Sequence, residues 1–344
     1  MLARIARLLF VAWFALLAGL LVAAHVTGWT LACRIALYLL VLGHPTLLAI
    51  EMLMARSVAA RSAAPRARWF DMLRAVLGEW RESTAVFAWR MPWRSNAIED
   101  HLPKTSRGLR GVVFIHGYIC NRGLWNPWMK RLLKLDRAFV AVSLEPLFAS
   151  LDDYVPQVER AVRRIEAATG LAPVIVAHSM GGLVARAWLR SRAAHKRSDG
   201  TDEAARLITI GTPHRGTWLA GLARTPNARQ MRVASPWMAA LAAIEPPTLP
   251  ALITSWWSEC DQIVYPPPTA VFPGSEAKQL RGVGHVALTA REEIWNEIRR
   301  RIDYCRRCQV LPFFGFGARS CLLRARSLNS EEAPPAQRAR PGTD

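Results

Sequence analysis

The sequence is poor in lysine and in cysteine. Lysine occurs only at positions 104, 130, 134, 196 and 278, so arginine carries almost all of the formal net charge of +19. A balance this basic permits binding to nucleic acid or to anionic lipid. The chain nevertheless has no arginine-and-aromatic motif of an RNA-binding module and no helix-turn-helix signature. We therefore expect no nucleic-acid partner.

The cysteines are too few and too scattered to predict a disulfide framework in a chain of 344 residues; they lie at 33, 120, 260, 305, 308 and 321. Cys305-Arg-Arg-Cys308 has the two-residue gap of a metal knuckle, but only Cys321 follows it. No histidine lies beyond to complete the usual four zinc ligands. The sequence therefore predicts reduced, mostly structural thiols and no metal site.

Charge is absent from one long stretch near the N-terminus. Leu8 to Cys33 contains no charged residue, with His25 taken as neutral, and exceeds the roughly 20 residues that cross a bilayer as a helix. A second, poorer run from Ile35 to Ile50 contains His44-Pro45 and is short for a span. We expect a transmembrane region at residues 1–55, either one helix or a helical hairpin.

The arginines beside these runs predict the orientation. Arg4 and Arg7 precede the first run, and a group of arginines follows the second, at 56, 61, 66, 68 and 74. The positive-inside rule places both flanks, and hence the main domain, in the cytoplasm. The alternative interpretation is a cleaved signal peptide over Arg4 to Ala24, with Val22-Ala-Ala24 as the cleavage site, which would export the domain.

Residues 56–108 form a juxtamembrane segment that combines arginine with aromatic side chains; these are Trp69, Phe70, Trp80, Phe87, Trp89 and Trp93. Tryptophan and arginine favour the headgroup zone of a membrane, so the segment fits an interfacial amphipathic helix. A helix that packs on the globular domain explains the same pattern. The sequence leaves both interpretations open.

The region 109–304 alternates between strand and helix patterns, and 51% apolar residues supply a sizeable core. Strands are predicted at 111–117, 138–144, 173–177, 206–211, 251–257 and 278–283, and helices at 121–135, 150–169, 181–192 and 289–302. Such alternation implies an α/β fold with a mostly parallel sheet and helices on both faces. Residues 214–250 predict a lid-like insertion, and 305–344 a basic, largely disordered tail.

One strand pattern stops abruptly on a serine: residues 175–182 read I-V-A-H-S-M-G-G. Ser179 lies where a strand turns into a helix, which holds a hydroxyl above the sheet edge beside a helix N-terminus. The sharp turn requires small residues two positions before and after it, here Ala177 and Gly181. The segment therefore predicts a nucleophile elbow.

A serine nucleophile needs a base and a carboxylate that orients the base, and in this architecture the chain order is serine, acid, histidine. His285 follows the last predicted strand in a glycine-bearing loop, and Asp261 follows the preceding strand. We predict Ser179, Asp261 and His285 as the catalytic triad. Glu259 is the reserve acid.

The other histidines near these strand ends fit the role of base less well. His178 adjoins Ser179 and so points away from its hydroxyl, and His116 ends the first strand, which predicts structural roles for both. His214 precedes the acid in sequence. The developing oxyanion requires backbone N–H donors, which we expect from Met180, just past the nucleophile, and from Tyr118.

Five features together resemble the α/β-hydrolase superfamily, especially its bacterial lipases and esterases; they are Ser179, Asp261, His285, the His116-Gly117-Tyr118 loop and the Gly211-Thr-Pro-His214 segment. The A-H-S-M-G-G form is similar to that of the small Bacillus-type lipases. The resemblance covers about Gly111 to Ile302 and not the membrane region or the tail. It implies serine ester hydrolysis through an acyl-enzyme, no cofactor, and oxyanion donors at Tyr118 and Met180. Together with the predicted membrane region, we expect a protein of a bacterial inner membrane.

Two departures from the family pattern bear on the substrate: Ala177 stands where the commoner motif has glycine, and a membrane region precedes the domain. The apolar insertion supplies candidate substrate-binding residues in Trp218, Leu219 and Trp237. Burial of an acyl chain there would contribute about 0.8 kcal/mol per methylene. We expect an acyl-ester or lipid substrate and the membrane as partners. The alternatives are a thioesterase or acyltransferase with the same triad, or a catalytically silent membrane-bound interaction module.

Overall fold

The computed structural model describes residues 1–61, 64–194 and 205–303. It begins with two long helices, α1 (Leu2–Thr27) and α2 (Leu31–Ala60). Gly28 separates them at φ 77°, a left-handed conformation that glycine adopts without strain. The Thr30 hydroxyl then caps α2 by accepting a hydrogen bond from the Cys33 N–H at 3.2 Å. Both apolar runs are therefore helical, and the second continues through Pro45.

The side chains of α1 are apolar and mostly unburied. Leu8 and Leu9, for example, are 70% and 66% exposed. Water-soluble domains rarely expose a continuous apolar surface of this size. By length and composition both helices could cross a membrane.

A third helix, α3 (Trp69–Thr84), continues as a π-helical turn (Ala85–Arg90) and the short α4 (Met91–Trp93). One face of α3 is buried and carries Met72, Ala75, Glu79 and Ser83. The aromatic side chains of Trp69, Phe70 and Trp89 are exposed. The helix of this segment therefore packs on the domain and presents aromatic rings outward, and its place at a membrane interface stays a prediction.

The sheet has six strands in the order β2-β1-β3-β4-β5-β6, and every neighbouring pair is parallel. Their bounds are β1 (Val112–Ile115), β2 (Phe139–Val142), β3 (Val174–His178), β4 (Arg206–Ile210), β5 (Ile253–Trp257) and β6 (Glu276–Gln279). The main crossover helices are α5 (Asn126–Lys134), α6 (Val155–Thr169) and α7 (Met180–Ala194), and α10 (Glu292–Asp303) follows β6.

The central strands are buried on both faces, which explains their continuous apolar runs. In β1, Val113 and Ile115 join the core under α6 and α7, whereas Val112 and Phe114 join the core under α5 and α10. Alternate side chains therefore point to opposite faces, as the pleat requires. The predicted α/β class, with a mostly parallel sheet and helices on both faces, is confirmed.

Between β4 and β5 the chain forms short helices rather than long ones; they are a 3-10 turn (Trp218–Leu222), α8 (Pro226–Gln230), α9 (Pro236–Ala243) and a second 3-10 turn (Leu249–Leu252). Further 3-10 turns lie at Lys104–Ser106, Arg122–Trp125, Asp152–Tyr154, Pro267–Ala270 and Ala287–Ala290.

Several predicted boundaries differ from the structure by a few residues. The last strand ends at Gln279 rather than at 283, because the chain turns through Gly282 at φ 65°. The last helix begins at Glu292 rather than at 289. The predicted tail, with Cys305 and Cys308, lies outside the described residues.

Candidate active site

Ser179 occupies a sharp turn between β3 and α7. Its φ is 54°, which is unusual for a residue with a side chain. The Ser179 N–H donates to the Ile210 carbonyl at 2.8 Å, and the Ser179 carbonyl accepts from the Gly182 N–H at 3.0 Å. These bonds to β4 and α7 hold the turn in a conformation that would otherwise be costly.

Close backbone approach explains the small residues around this serine. A Cβ added to Gly117 would lie 2.8 Å from the Ser179 Cβ, and one added to Gly181 would lie 2.5 Å from the His116 carbonyl oxygen. The glycines thus allow the loop after β1 to lie against the turn that carries Ser179.

Asp261 and His285 form a buried hydrogen-bonded pair. The Nδ1–H of His285 donates to Asp261 Oδ2 at 2.8 Å. The other carboxylate oxygen, Oδ1, accepts from the N–H groups of Ile263 and Val264 at 2.9 and 2.8 Å. The carboxylate is therefore fixed by its own turn and is free to orient the imidazole, which leaves Nε2 as the proton acceptor.

Burial alone would lower the pKa of the His285 imidazole. The adjacent Asp261 carboxylate outweighs burial, with smaller contributions from Glu79 and Glu51, and raises the pKa above its ordinary value of 6.5. The site therefore favours the imidazolium, which is the species that a general base becomes once it has taken a proton.

Ser179 and His285 line one cavity of about 300 Å³. Within the described residues no hydrogen bond joins the serine hydroxyl to the imidazole. Such bonds are often long before substrate binds and tighten in the complex. The structure thus brings Asp261 and His285 into contact and places Ser179 at the same cavity.

The two predicted oxyanion donors flank this serine. Met180 is the first residue of α7, and Tyr118 lies in the loop after β1, which also lines the cavity. Within the described chain, neither backbone N–H donates a hydrogen bond to another protein atom. The Tyr118 hydroxyl forms a 3.1 Å hydrogen bond with the Thr225 hydroxyl, so only the backbone N–H of Tyr118 is considered as an oxyanion donor.

The three other histidines weighed as the base, His116, His178 and His214, are buried. His116 accepts from the Leu144 N–H at 2.9 Å and donates to the Gly117 carbonyl, and burial lowers its pKa to about 4. His214 lies 3.0 Å from the Thr209 hydroxyl and is not among the residues that line the cavity. Burial keeps its pKa well below the ordinary value.

His178 lines the cavity behind the predicted base. Its ring lies 4.5 Å from the His285 ring, and its Nε2–H donates to the His285 carbonyl at 3.2 Å. Burial, with the neighbouring His285, lowers its pKa well below 6.5. A neutral His178 thus supports the loop of His285. The reserve acid Glu259 accepts from the Gly282 N–H at 2.9 Å, and Asp261 is the carboxylate that contacts His285.

Only one of the three predicted substrate-binding residues lines the cavity, namely Leu219. Trp218 stacks on Tyr265, and the Trp237 indole donates to Asp152 at 2.7 Å. The N-terminal helices also line this cavity, which the sequence analysis did not predict. Four residues of α2 contribute at helical spacing, namely His44, Leu47, Leu48 and Glu51.

The sequence prediction also missed Glu79 and Gln262, which contact the loop of His285. One signal for Glu79 was present, because Met72, Ala75 and Glu79 recur at the spacing of one helix face. A carboxylate in an otherwise apolar stripe is rarely buried without partners. Its partners, however, lie up to 208 residues away and have no local signature.

Comparison with known proteins gives one family. Residues 112–320, more than half of the chain, match the family model described as "Alpha/beta hydrolase family". A search of curated proteins found no match.

Several solved structures are similar to parts of this chain at low sequence identity. Mature lipase BlEst2 of Bacillus licheniformis is 16% identical (TM-score 0.48; 57% of this chain and 92% of that chain). Aspergillus fumigatus lipase B is 18% identical (TM-score 0.46), and the match spans 55% of this chain and about half, 51%, of the lipase. The esterase domain of a Rhodothermus marinus protein is 16% identical (TM-score 0.41; 58% and 90%).

Proposed function

The chain belongs to the alpha/beta hydrolase family, and on that premise we propose that it is a membrane-anchored serine hydrolase that cleaves carboxylic esters. The main support for this proposal is the buried Asp261–His285 pair, because His285 and Ser179 line the same cavity. A hydroxyl on a left-handed turn, a neutral imidazole nitrogen and a fixed carboxylate are the groups that acyl transfer requires.

The reaction follows from these positions. The Ser179 Oγ attacks the ester carbonyl carbon while His285 Nε2 takes its proton, and Asp261 stabilises the imidazolium. The backbone N–H groups of Tyr118 and Met180 donate to the oxyanion of the tetrahedral intermediate. Collapse transfers the proton from His285 to the leaving alcohol and leaves an acyl-enzyme. Water, deprotonated by the same imidazole, then releases the carboxylic acid and restores the serine.

The hairpin of α1 and α2 supports the membrane part of the proposal. Two helices in succession return the chain to the side on which it began, and both ends of the hairpin carry arginines whereas the turn at 28–30 carries no charge. By the positive-inside rule the catalytic domain faces the cytoplasm. After alkaline extraction the protein should stay in the membrane pellet, and a C-terminal reporter should respond as a cytoplasmic one.

The cavity wall supports an acyl group as the recognised part of the substrate. Leu47 and Leu48 of α2 line the cavity together with Leu219 and Val286 of the catalytic domain. Apolar walls bind methylene groups through the hydrophobic effect, at about 0.8 kcal/mol each. An acyl chain of a lipid or of another carboxylic ester fits this lining, because its carbonyl can reach Ser179 while its chain lies along α2.

The test is hydrolysis of p-nitrophenyl esters of increasing acyl length by the membrane-bound protein. We expect turnover that depends on Ser179, so Ser179→Ala should abolish it, with a loss of at least about a thousandfold. Ser95→Ala is the matched control, since Ser95 does not line the cavity. Equal turnover in Ser179→Ala would refute the serine mechanism, and a folded wild type without turnover on any ester would favour an interaction module.

A further inference from the structure

Glu79 is a buried carboxylate that the mechanism above does not use. It lies on α3, outside the region of the sheet, and only 1% of the residue is exposed. Its side chain lines the cavity that contains Ser179 and His285. Burying a carboxylate is costly unless hydrogen bonds or an opposite charge compensate it.

The partners of Glu79 are all donors. Its Oε1 accepts from the Gln262 side-chain amide at 2.9 Å and from the Val286 N–H at 3.0 Å. Its Oε2 accepts from the Ala287 N–H at 2.9 Å. Both oxygens are therefore acceptors, which is the pattern that an ionised carboxylate satisfies and that an amide in its place could not.

These donors belong to the loop that carries the predicted base. Val286 and Ala287 follow His285 directly, and Gln262, which follows Asp261, accepts from the His285 N–H through its Oε1 at 3.1 Å. Gly284 completes the fit, because a Cβ there would lie 2.6 Å from Glu79 Oε2. The loop is thus shaped to receive this one side chain.

No cationic side chain pairs with Glu79 within the described residues. The titratable groups that face His285 are Asp261 after β5, Glu79 on α3, Glu51 on α2 and His178 on β3. Burial raises the pKa of the Glu79 carboxyl, whereas its hydrogen-bond donors and the charge of His285, which becomes an imidazolium during the reaction, lower it. A fixed negative charge beside a developing positive one stabilises it most in a site that excludes water.

We propose that Glu79 is a positioning residue of the active site, which fixes the loop of His285 and stabilises its imidazolium from the juxtamembrane helix. The inference rests on the proposed function, because it assigns Glu79 a role through the predicted base. In this proposal α3 contributes to catalysis, and Glu79 connects the loop of His285 to the juxtamembrane segment.

The experiment compares ester hydrolysis by the full-length protein with Glu79→Gln and Glu79→Asp. Glu79→Gln removes the charge and turns one amide N–H₂ toward a donor. We expect kcat to fall roughly 10- to 100-fold while KM stays within about twofold, since the base is displaced and the ester-binding wall is not. Glu82→Gln is the matched control, because Glu82 lies on the same helix and pairs with Arg81 and Arg90 instead.

The pH profile separates the charge from packing. The acid limb of kcat/KM reports the pKa of His285 in the free enzyme, because only the neutral imidazole can take the proton. Removing a neighbouring negative charge lowers that pKa, so the limb should move to lower pH in Glu79→Gln. Glu79→Asp keeps the charge, so its limb should stay near that of the wild type although kcat falls.

Three outcomes would overturn the inference: wild-type kcat in Glu79→Gln, an unmoved acid limb in Glu79→Gln, or identical limb shifts in both variants. If Glu79→Gln does not accumulate as a folded protein, Glu79→Asp carries the test, and unchanged kcat there refutes the role. A wild type without Ser179-dependent turnover would instead refute the proposed function. The two failures are therefore distinguishable.

Discussion

The two regions that surround the cavity differ in how they contribute to it. The sheet region carries the proposed catalytic groups, each in a loop or turn that follows a strand and each within a short recognisable segment. The N-terminal helices supply a wall and the Glu79 carboxylate, without any motif. The proposed reactive groups can therefore be recognised from the sequence motif around each of them. A supporting group such as Glu79 can be recognised only from the contacts it makes in the folded protein.

The largest expected effect concerns the sheet region. Asp261→Asn should lower kcat by about 10⁴-fold and His285→Ala by at least about 10³-fold, because the imidazole loses its orientation or is missing. Steady-state ester hydrolysis measures both losses. Turnover near the wild-type level in either variant would show that the triad is assigned wrongly.

Asp261→Asn also tests the raised pKa of His285. In the wild type, activity should fall as the pH decreases through a value above 6.5, since the protonated imidazole cannot act as a base. Residual activity in Asp261→Asn should persist to lower pH, because the charge that raises the pKa is gone. An acid limb at the same pH in both proteins would contradict the claim that Asp261 raises the pKa of His285.

A second buried carboxylate, Glu245, can be compared with Glu79. Glu245 is also nearly buried, but it forms a bidentate pair with Arg186 at 2.7 and 2.9 Å and does not line the cavity. Glu245→Ala should lower the free energy of unfolding by roughly 3–5 kcal/mol, because Arg186 remains buried without its partner. Chemical denaturation measures this loss. In the folded variant, the acid limb of the kcat/KM pH profile should stay where it is in the wild type. A shift like that expected for Glu79→Gln would mean that Glu79 is not distinct from Glu245 in acting on the pKa of His285.

The wall formed by α2 predicts a smaller effect on specificity. Leu48→Phe narrows the cavity beside Ser179, so turnover of long-chain esters should fall roughly tenfold relative to acetate. The ratio of kcat/KM values across the ester series measures this change. Leu53→Phe is the matched control, since Leu53 is exposed on the same helix and does not line the cavity. An unchanged ratio in Leu48→Phe would mean that the acyl chain does not lie along α2.

The smallest expected effect is a gain in stability. Gly78 lies inside α3, and a Cβ added there meets nothing within 4 Å. Gly78→Ala should therefore raise the free energy of unfolding by about 0.5–1 kcal/mol with unchanged kcat. Gly284→Ala should do the opposite, because its Cβ would displace Glu79. Similar behaviour of the two variants would contradict the close fit between α3 and the loop.

The sheet could be predicted from the sequence because buried parallel strands carry continuous apolar runs between glycine-bearing turns. The same pattern predicts the order Ser179, Asp261, His285 as a triad, since each residue follows a predicted strand. The strand at 278–283 was misplaced because β6 is an edge strand whose side chains are mostly exposed, so its apolar pattern is weak.

The wall of the cavity could not be predicted in the same way. An apolar insertion with Trp218 and Trp237 resembles a lid by composition, yet both rings pack elsewhere, on Tyr265 and toward Asp152. Leu48 belongs to a run whose composition indicates only a membrane helix. Which face of that helix meets the domain depends on tertiary packing, and no local pattern encodes it.

The proposed function depends above all on Ser179 as a nucleophile that His285 activates. The most direct measurement is labelling of the membrane-bound protein with a fluorophosphonate probe, followed by mass analysis of its peptides. We predict a single adduct on Ser179 in the wild type, lost in His285→Ala while the variant stays folded. An adduct on another serine, or no adduct on a folded wild type, would contradict the account.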